Sequence, residues 1–157
     1  MSEHEEGKPQ EAAIRRYLPE RAWEGVQRLS YKPSGTAPFR DISRQVLFDD
    51  ESLACELRYF EIAPGGYSTL EQHGHAHGVL ILLGSGACLV GSDVRSVLAH
   101  DLVRIPPWTW HQLRADGEQP FGFLCMVNRE RDRPTLPSED DLAALRSNPE
   151  VAAFIRV

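Results

Sequence analysis

The stretch Gly65–Gly84, GGYSTLEQHGHAHGVLILLG, constrains this chain more than any other. It sets one carboxylate and three imidazoles (Glu71, His73, His75 and His77) at alternate positions. Alternate side chains of an extended segment share a face, so Glu71 and His73 point the same way in a strand. Gly74 and Gly78 are expected to bend the backbone and bring His77 back toward the same point. An apolar run, Val79 to Leu83, follows as a buried strand requires. Polar heads aimed into an apolar interior need a partner, and a divalent metal is the simplest one.

Turn chemistry divides the middle of the chain into short strand-like segments, at 40–48, 53–62, 66–73, 78–83, 86–90, 94–98, 102–105, 110–115 and 120–128. The dividers are Asp49-Asp50, Pro64-Gly65-Gly66, Gly84-Ser85-Gly86, Gly91-Ser92-Asp93, Pro106-Pro107 and Asp116-Gly117. A mixed α+β sheet would need helical periodicity between strands, and 40–128 has none. The expectation is all-β, an antiparallel sandwich or barrel over 40–130. Residues 1–10 read as disordered. Residues 11–39 read as a lead-in of short helical turns broken at Pro19, then a loop. Residues 131–157 read as a helical tail packed on the barrel or on a second subunit. Ser138 caps it, acidic residues fill its first turn, and Asn148-Pro149 stops it before an apolar stripe resumes.

With 157 residues the chain suits one domain with its own core. A net charge of −6 and a pI near 5.5 lack the basic face of a nucleic-acid binder. No apolar run reaches the ~20 residues that span a bilayer. The start, MSEHEEGKPQ, does not read as a secretory signal. Cys55, Cys88 and Cys125 are an odd number, far apart in apolar segments, as expected of reduced thiols in a cytoplasmic protein.

Two motifs resemble those of the cupin family. The first family motif runs Gly, five residues, His-x-His, three or four residues, Glu, six residues, Gly. Here it reads Gly65, five residues, Glu71, Gln72, His73, three residues, His77, six residues, Gly84, with glutamate and histidine exchanged. The second family motif runs Gly, five residues, Pro-x-Gly, two residues, His, three residues, Asn. Here Pro106 and His111 match, while His100, Trp108 and Ala115 replace the two glycines and the asparagine. The resemblance implies a double-stranded β-helix, or jelly-roll barrel, with Glu71, His73, His77 and His111 as metal ligands. It also implies pairing into a homodimer through sheet edges. A three-nitrogen, one-oxygen set suits manganese first, with iron, nickel, cobalt or zinc as alternatives. Four protein ligands on an octahedral ion would leave two positions for substrate, an open Lewis-acid site.

Other residues carry two readings each. His75 shares parity with His73 and His77, and is either a rim residue or a further ligand. Cys125, in FGFLCMVN, is either a small core hydrophobe or a catalytic thiol presented to substrate. Arg104, in DLVRIPP, either lines the pocket and binds phosphate or faces outward, since Val103 and Ile105 hold the opposite parity. His100 reads as a solvated surface residue. Trp108 and Trp110 flank His111 as pocket wall, core or subunit contact.

Function stays open between classes. One is a metalloenzyme that draws a small oxygenated substrate through a metal-bound enediolate; with iron the reaction would be a dioxygenation. The other is a binding module without turnover. A narrower likeness is to a small bacterial cupin of methionine salvage, carried by the segment RDISRQVLF, the motif LEQHGHAH, the FLC strand and the helical tail. It implies methylthio transfer from the sugar phosphate 1-methylthioxylulose 5-phosphate to a thiol such as glutathione, giving deoxyxylulose 5-phosphate.

Overall fold

The computed structural model describes residues 12–157; the disorder expected for 1–10, and His4 with it, lies outside them. Every β pairing is antiparallel. The long strands are β4 (Arg40–Asp49), β5 (Cys55–Tyr67), β6 (His77–Leu83), β7 (Ser85–Val90), β8 (Asp93–Leu98), β9 (Leu102–Ile105), β10 (His111–Arg114) and β11 (Phe121–Asn128). They join in the order β8-β7-β10-β5-β11-β6-β9, with β4 also on β5, and the sheet curls around an apolar interior. Ile42, Phe60, Ile62, Val79, Ile81, Ile105, Leu113, Phe121 and Phe123 fill that interior. Phe60 and Phe123 stack on neighbouring strands with centroids 5.6 Å apart, a contact worth ~0.5–1.5 kcal/mol beyond its area.

Two sequence expectations change here. Pro64-Gly65-Gly66 does not separate two strands; it is a corner inside β5. The strand pairs Ile62 with Phe121, then Tyr67 with Arg114 on the other side of the corner. Gly65 turns it at φ 81, and a Cβ on Gly66 would meet the Arg40 carbonyl at 2.6 Å. The lead-in, in turn, is extended and not helical. It forms β1 (Tyr17–Leu18), β2 (Ala22–Trp23) and β3 (Arg28–Ser30). Pro19 starts a tight turn closed by Arg21 N–H on the Leu18 carbonyl at 3.1 Å, and Arg21 takes the left-handed backbone at φ 58. That is the three-residue hairpin loop, with Leu18 paired to Ala22 and Tyr17 to Trp23 across it. Trp23 then packs edge-on against Tyr59, and Arg21 pairs with Glu61 at 2.8 Å, so the lead-in covers the outer side of β4 and β5.

The tail is two helices. Ser138 and Asp141 form a capping box on α1 (Glu139–Arg146). Asn148 ends that helix and caps the next, α2 (Pro149–Phe154), in which Pro149 is the first residue. Val151, Phe154 and Ile155 pack with Leu70, Ala87 and Leu89 in a second apolar cluster, so the tail docks on the barrel wall. No helix among the described residues is long and apolar enough to cross a membrane.

Candidate functional site

A cavity of ≈ 300 Å³ opens inside the barrel, lined by β4, β5, β6, β10, β11 and the 31–33 segment. His73 follows the Glu71–Gln72 bridges, His77 begins β6 and His111 begins β10. One ligand atom from each of these three imidazoles lies within 4.8 Å of the others. Nε2 of His73 and Nε2 of His77 are 2.7 Å apart. Each ring has its other nitrogen engaged. Nδ1 of His73 is 2.8 Å from the His75 carbonyl, and Nδ1 of His111 is 2.9 Å from the Thr109 carbonyl. Nδ1 of His77 is 3.2 Å from Sγ of Cys125. A carbonyl can only accept, so His73 and His111 carry their protons on Nδ1 and turn Nε2 lone pairs inward.

Burial, then the neighbouring imidazoles, hold these rings neutral. His77 is pushed down to about 2 and His73 to about 4, and burial lowers His111 as well. Convergent lone pairs on neutral rings repel unless a cation lies among them, and second nitrogens tied to carbonyls are the usual support for metal-binding histidines. The donor set therefore fits a divalent ion.

The other expected site residues separate. Glu71 exchanges backbone hydrogen bonds with His111, but its carboxylate pairs with the Lys32 ammonium and stands outside the three-imidazole group. His75 is also outside it. Its ring stacks flat on His73 at 3.7 Å between centroids, and its Nδ1 meets Asp132 Oδ1 at 2.8 Å. Asp132 also accepts from the Gly74 N–H at 2.7 Å, and these bonds hold its carboxyl at about 2. The chain bends at Gly74–His75, and what demands glycine there is space, since a Cβ would meet the Trp108 ring at 2.9 Å. Cys125 is buried on the cavity wall, with Arg58 Nη2 3.7 Å from its sulfur. Burial pushes the thiol up, against the opposing pull of Arg58.

Of the two readings of Arg104 the outward one holds, and the pocket-lining, phosphate-binding one does not. This arginine is exposed on β9 between the buried Val103 and Ile105, so it faces away from the cavity. The arginines lining the cavity are Arg44, Arg58 and Arg131, accompanied by Lys32. Sequence reasoning missed all four. The available signal was parity: Arg44 follows Ile42 at two residues, and Arg58 precedes Phe60 and Ile62 at the same interval. Neither tryptophan lines the cavity, and Trp108 is 61% exposed. His100 is exposed, as expected. Both residues that replace family glycines keep a glycine-like backbone, with φ 80 at His100 and φ 54 at Trp108.

Comparison with known proteins agrees with this architecture. The family model described as Cupin domain matches residues 58–127. The chain is 53% identical over 155 residues to the 1-methylthio-D-xylulose 5-phosphate methylsulfurylase of Rhodospirillum rubrum, covering 99% of this chain and 97% of that one. A cupin 2 conserved barrel domain protein from Rhodopseudomonas palustris superposes with a TM-score of 0.87 at 54% identity, covering 92% of this chain and all of that one. A cupin-2 domain structure from Rhodospirillum rubrum gives a TM-score of 0.80 at 53% identity, with 94% of each chain covered. The curled antiparallel barrel, the imidazole cluster inside it and these relatives agree: the chain belongs to the cupin family.

Proposed function

We propose that this protein is a methylsulfurylase, moving the methylthio group of 1-methylthioxylulose 5-phosphate onto a thiol and releasing 1-deoxyxylulose 5-phosphate. The observation that carries the reading is 53% identity, across 99% of the chain, to an enzyme of that name. A cysteine beside the imidazole cluster of the cavity supports it. The reaction balances with one thiol, glutathione being the expected one. The bond from C1 to sulfur breaks, a sulfur–sulfur bond forms, and the thiol's proton ends on C1. Carbon is reduced while the two sulfurs become a disulfide.

His73, His77 and His111 are the residues proposed to hold a divalent ion, manganese first, with Glu71 as the fourth candidate. Bound there, such an ion supplies Lewis-acid polarisation of adjacent carbonyl and hydroxyl oxygens. Cys125 is the proposed nucleophile toward the methylthio sulfur. His77 Nδ1 and Arg58 Nη2, 3.2 and 3.7 Å from its sulfur, favour the thiolate against burial. Glutathione then resolves the mixed disulfide. His75, held at the rim by Asp132, is the candidate for passing a proton between cavity and solvent. The apolar walls, Ile42, Phe60, Val79 and Phe123, keep bulk water from the reacting sulfur. A reducing cytoplasm, where the free Cys55, Cys88 and Cys125 persist as thiols, and a homodimer complete the proposal.

The test is direct. Manganese-loaded protein incubated with 1-methylthioxylulose 5-phosphate and glutathione should yield deoxyxylulose 5-phosphate and methyl glutathionyl disulfide, followed by phosphorus NMR and mass spectrometry. No conversion by protein with full metal content would overturn the assignment.

A further inference from the structure

One part of the cavity wall carries more positive charge than the protein neutralises. Arg44 on β4 and Arg58 on β5 both line the cavity. Across the ladder Arg44 pairs with Phe60, and Val46 with Arg58, so the two arginines are diagonal neighbours. Each acidic group nearby already has a partner of its own. Glu56 accepts from Arg131 Nη1 at 2.8 Å and reaches Arg58 Nε only at 3.6 Å. Glu71 is held by Lys32, and Asp132 by His75 and Gly74.

Arg44 makes no ion pair or side-chain hydrogen bond among the described residues, and its Nε is buried without a partner. Nε of Arg58 likewise lacks a hydrogen bond, while its guanidinium lies 4.9 Å from the centroid of the Phe60 ring. Burial and the Arg58 charge both lower the pKa of Arg44. Two partly desolvated guanidiniums side by side, with one shared carboxylate already bonded elsewhere, are unfavourable in isolation. They suit a ligand bearing two negative charges and several acceptor oxygens, which planar guanidinium forks bind in pairs.

We propose that Arg44 and Arg58 form a subsite for a phosphate monoester, the phosphate end of a sugar phosphate lodged in the cavity. The identity of the sugar rests on the function proposed above; the anion site rests on the charge arrangement. Arg58 also touches Cys125, so Arg44 is the cleaner residue to change.

The experiment is calorimetric titration of wild type and Arg44→Met with inorganic phosphate, D-xylulose 5-phosphate and D-xylulose. Xylulose 5-phosphate should bind wild type, and Arg44→Met should weaken it by about thirtyfold or more, the usual loss when one member of a buried charge pair is truncated. Phosphate should weaken in parallel, and the response to D-xylulose should not change. Ligand-free Arg44→Met should melt at or above wild type, the reverse of what a merely structural arginine would give. If the methionine variant does not fold, Arg44→Lys keeps the charge, loses the fork, and should lose about tenfold. Equal affinity for xylulose 5-phosphate in wild type and variant overturns the subsite, as does a wild type that binds neither phosphate nor xylulose 5-phosphate. Turnover of 1-methylthioxylulose 5-phosphate with an unchanged KM in Arg44→Met also overturns it and leaves the reaction standing. Arg44-dependent phosphate binding in a protein that does not turn over that substrate supports the subsite and removes the reaction.

Discussion

Sγ of Cys125 lies 3.2 Å from Nδ1 of His77, whose Nε2 is 2.7 Å from Nε2 of His73. One imidazole therefore joins the thiol to the three-histidine cluster, and substitution of Cys125 tests the proposed thiol role apart from the proposed metal role. Cys125→Ala should abolish methylthio transfer, a loss beyond the roughly 10²–10⁴-fold that one proton-transferring side chain contributes, while metal content stays at the wild-type level. Mass spectrometry of wild type quenched without glutathione should find one methylthio adduct on Cys125. Full turnover in the alanine variant would remove the protein thiol from the reaction.

The three imidazoles are held by different elements, so each can be removed without unravelling the others. His73→Ala, His77→Ala or His111→Ala should each weaken metal binding by more than the ~10–100-fold typical of a residue that only supports a ligand. Elemental analysis after dialysis against a mild chelator reads this out, with the exposed His100→Ala as the control that keeps its metal. Retained stoichiometry in any two of the three histidine variants would contradict the assignment.

Legibility from sequence followed the local physics. The strands of 77–128 announced themselves because two-sided alternation and turn residues are nearest-neighbour signals. The corner in β5 did not, because Pro64-Gly65-Gly66 has the same composition whether the chain reverses or only crosses to its next partner strand. The lead-in failed for a related reason: Ile14 and Leu18, and again Trp23, Val26 and Leu29, are spaced as on a helix, yet Arg21 in the left-handed region makes a hairpin. Among site residues, the histidine spacing was readable, whereas the Glu71–Lys32 pair joins residues 39 apart and leaves no local mark. For Arg104 the parity of Val103 and Ile105 carries the outward reading, and the alternative rests only on its closeness in sequence to His111.

His100 holds φ 80 in the position of a family glycine, in a turn closed by the Asp101 N–H on the Leu98 carbonyl at 3.0 Å, while its own N–H reaches the Ile81 carbonyl at 2.7 Å. An L-residue there costs ~1–2 kcal/mol, against the ~0.5–1 kcal/mol entropic cost of glycine. His100→Gly should therefore be neutral or raise stability by up to ~1 kcal/mol, where an ordinary exposed residue would lose stability on the same change. Urea denaturation checks it, and a loss above ~1 kcal/mol would show that the ring makes a stabilising contact.

Asp132 gives the rim a pH dependence of known sign. Its carboxyl is held at about 2, below the ordinary 3.8, first by the Gly74 N–H and then by His75. A carboxyl lowered in the folded state binds fewer protons than in the unfolded chain, so its contribution is complete above 3.8 and fades as pH falls toward 2. Carbon NMR titration of the carboxyl should give a midpoint well below 3.8, and Asp132→Asn should flatten that part of the stability curve. The same variant should raise KM at neutral pH, since His75 and the 73–75 turn lose their tether. A carboxyl titrating at its ordinary value would break the link between Asp132 and the rim.

Lys32 occupies the carboxylate that family resemblance assigns to the metal. The Glu71 side chain is 8% exposed and that of Lys32 is 20% exposed, so the pair is desolvated on one side more than the other. Removing the cation with Lys32→Gln leaves Glu71 buried and unpaired, a defect of ~3–5 kcal/mol when both partners are fully buried and less here because Lys32 reaches solvent. The ion-free variant should melt below wild type. A divalent ion should then repair more than it does in wild type, because it supplies the charge that Glu71 lost and no longer competes with an ammonium group. The measurement is the rise in Tm on adding manganese, which should be larger for Lys32→Gln than for wild type, together with a manganese affinity tighter by about tenfold in a chelator competition. An equal or smaller rise in Tm would mean that Glu71 belongs to Lys32 alone and that the three imidazoles form the whole protein ligand set.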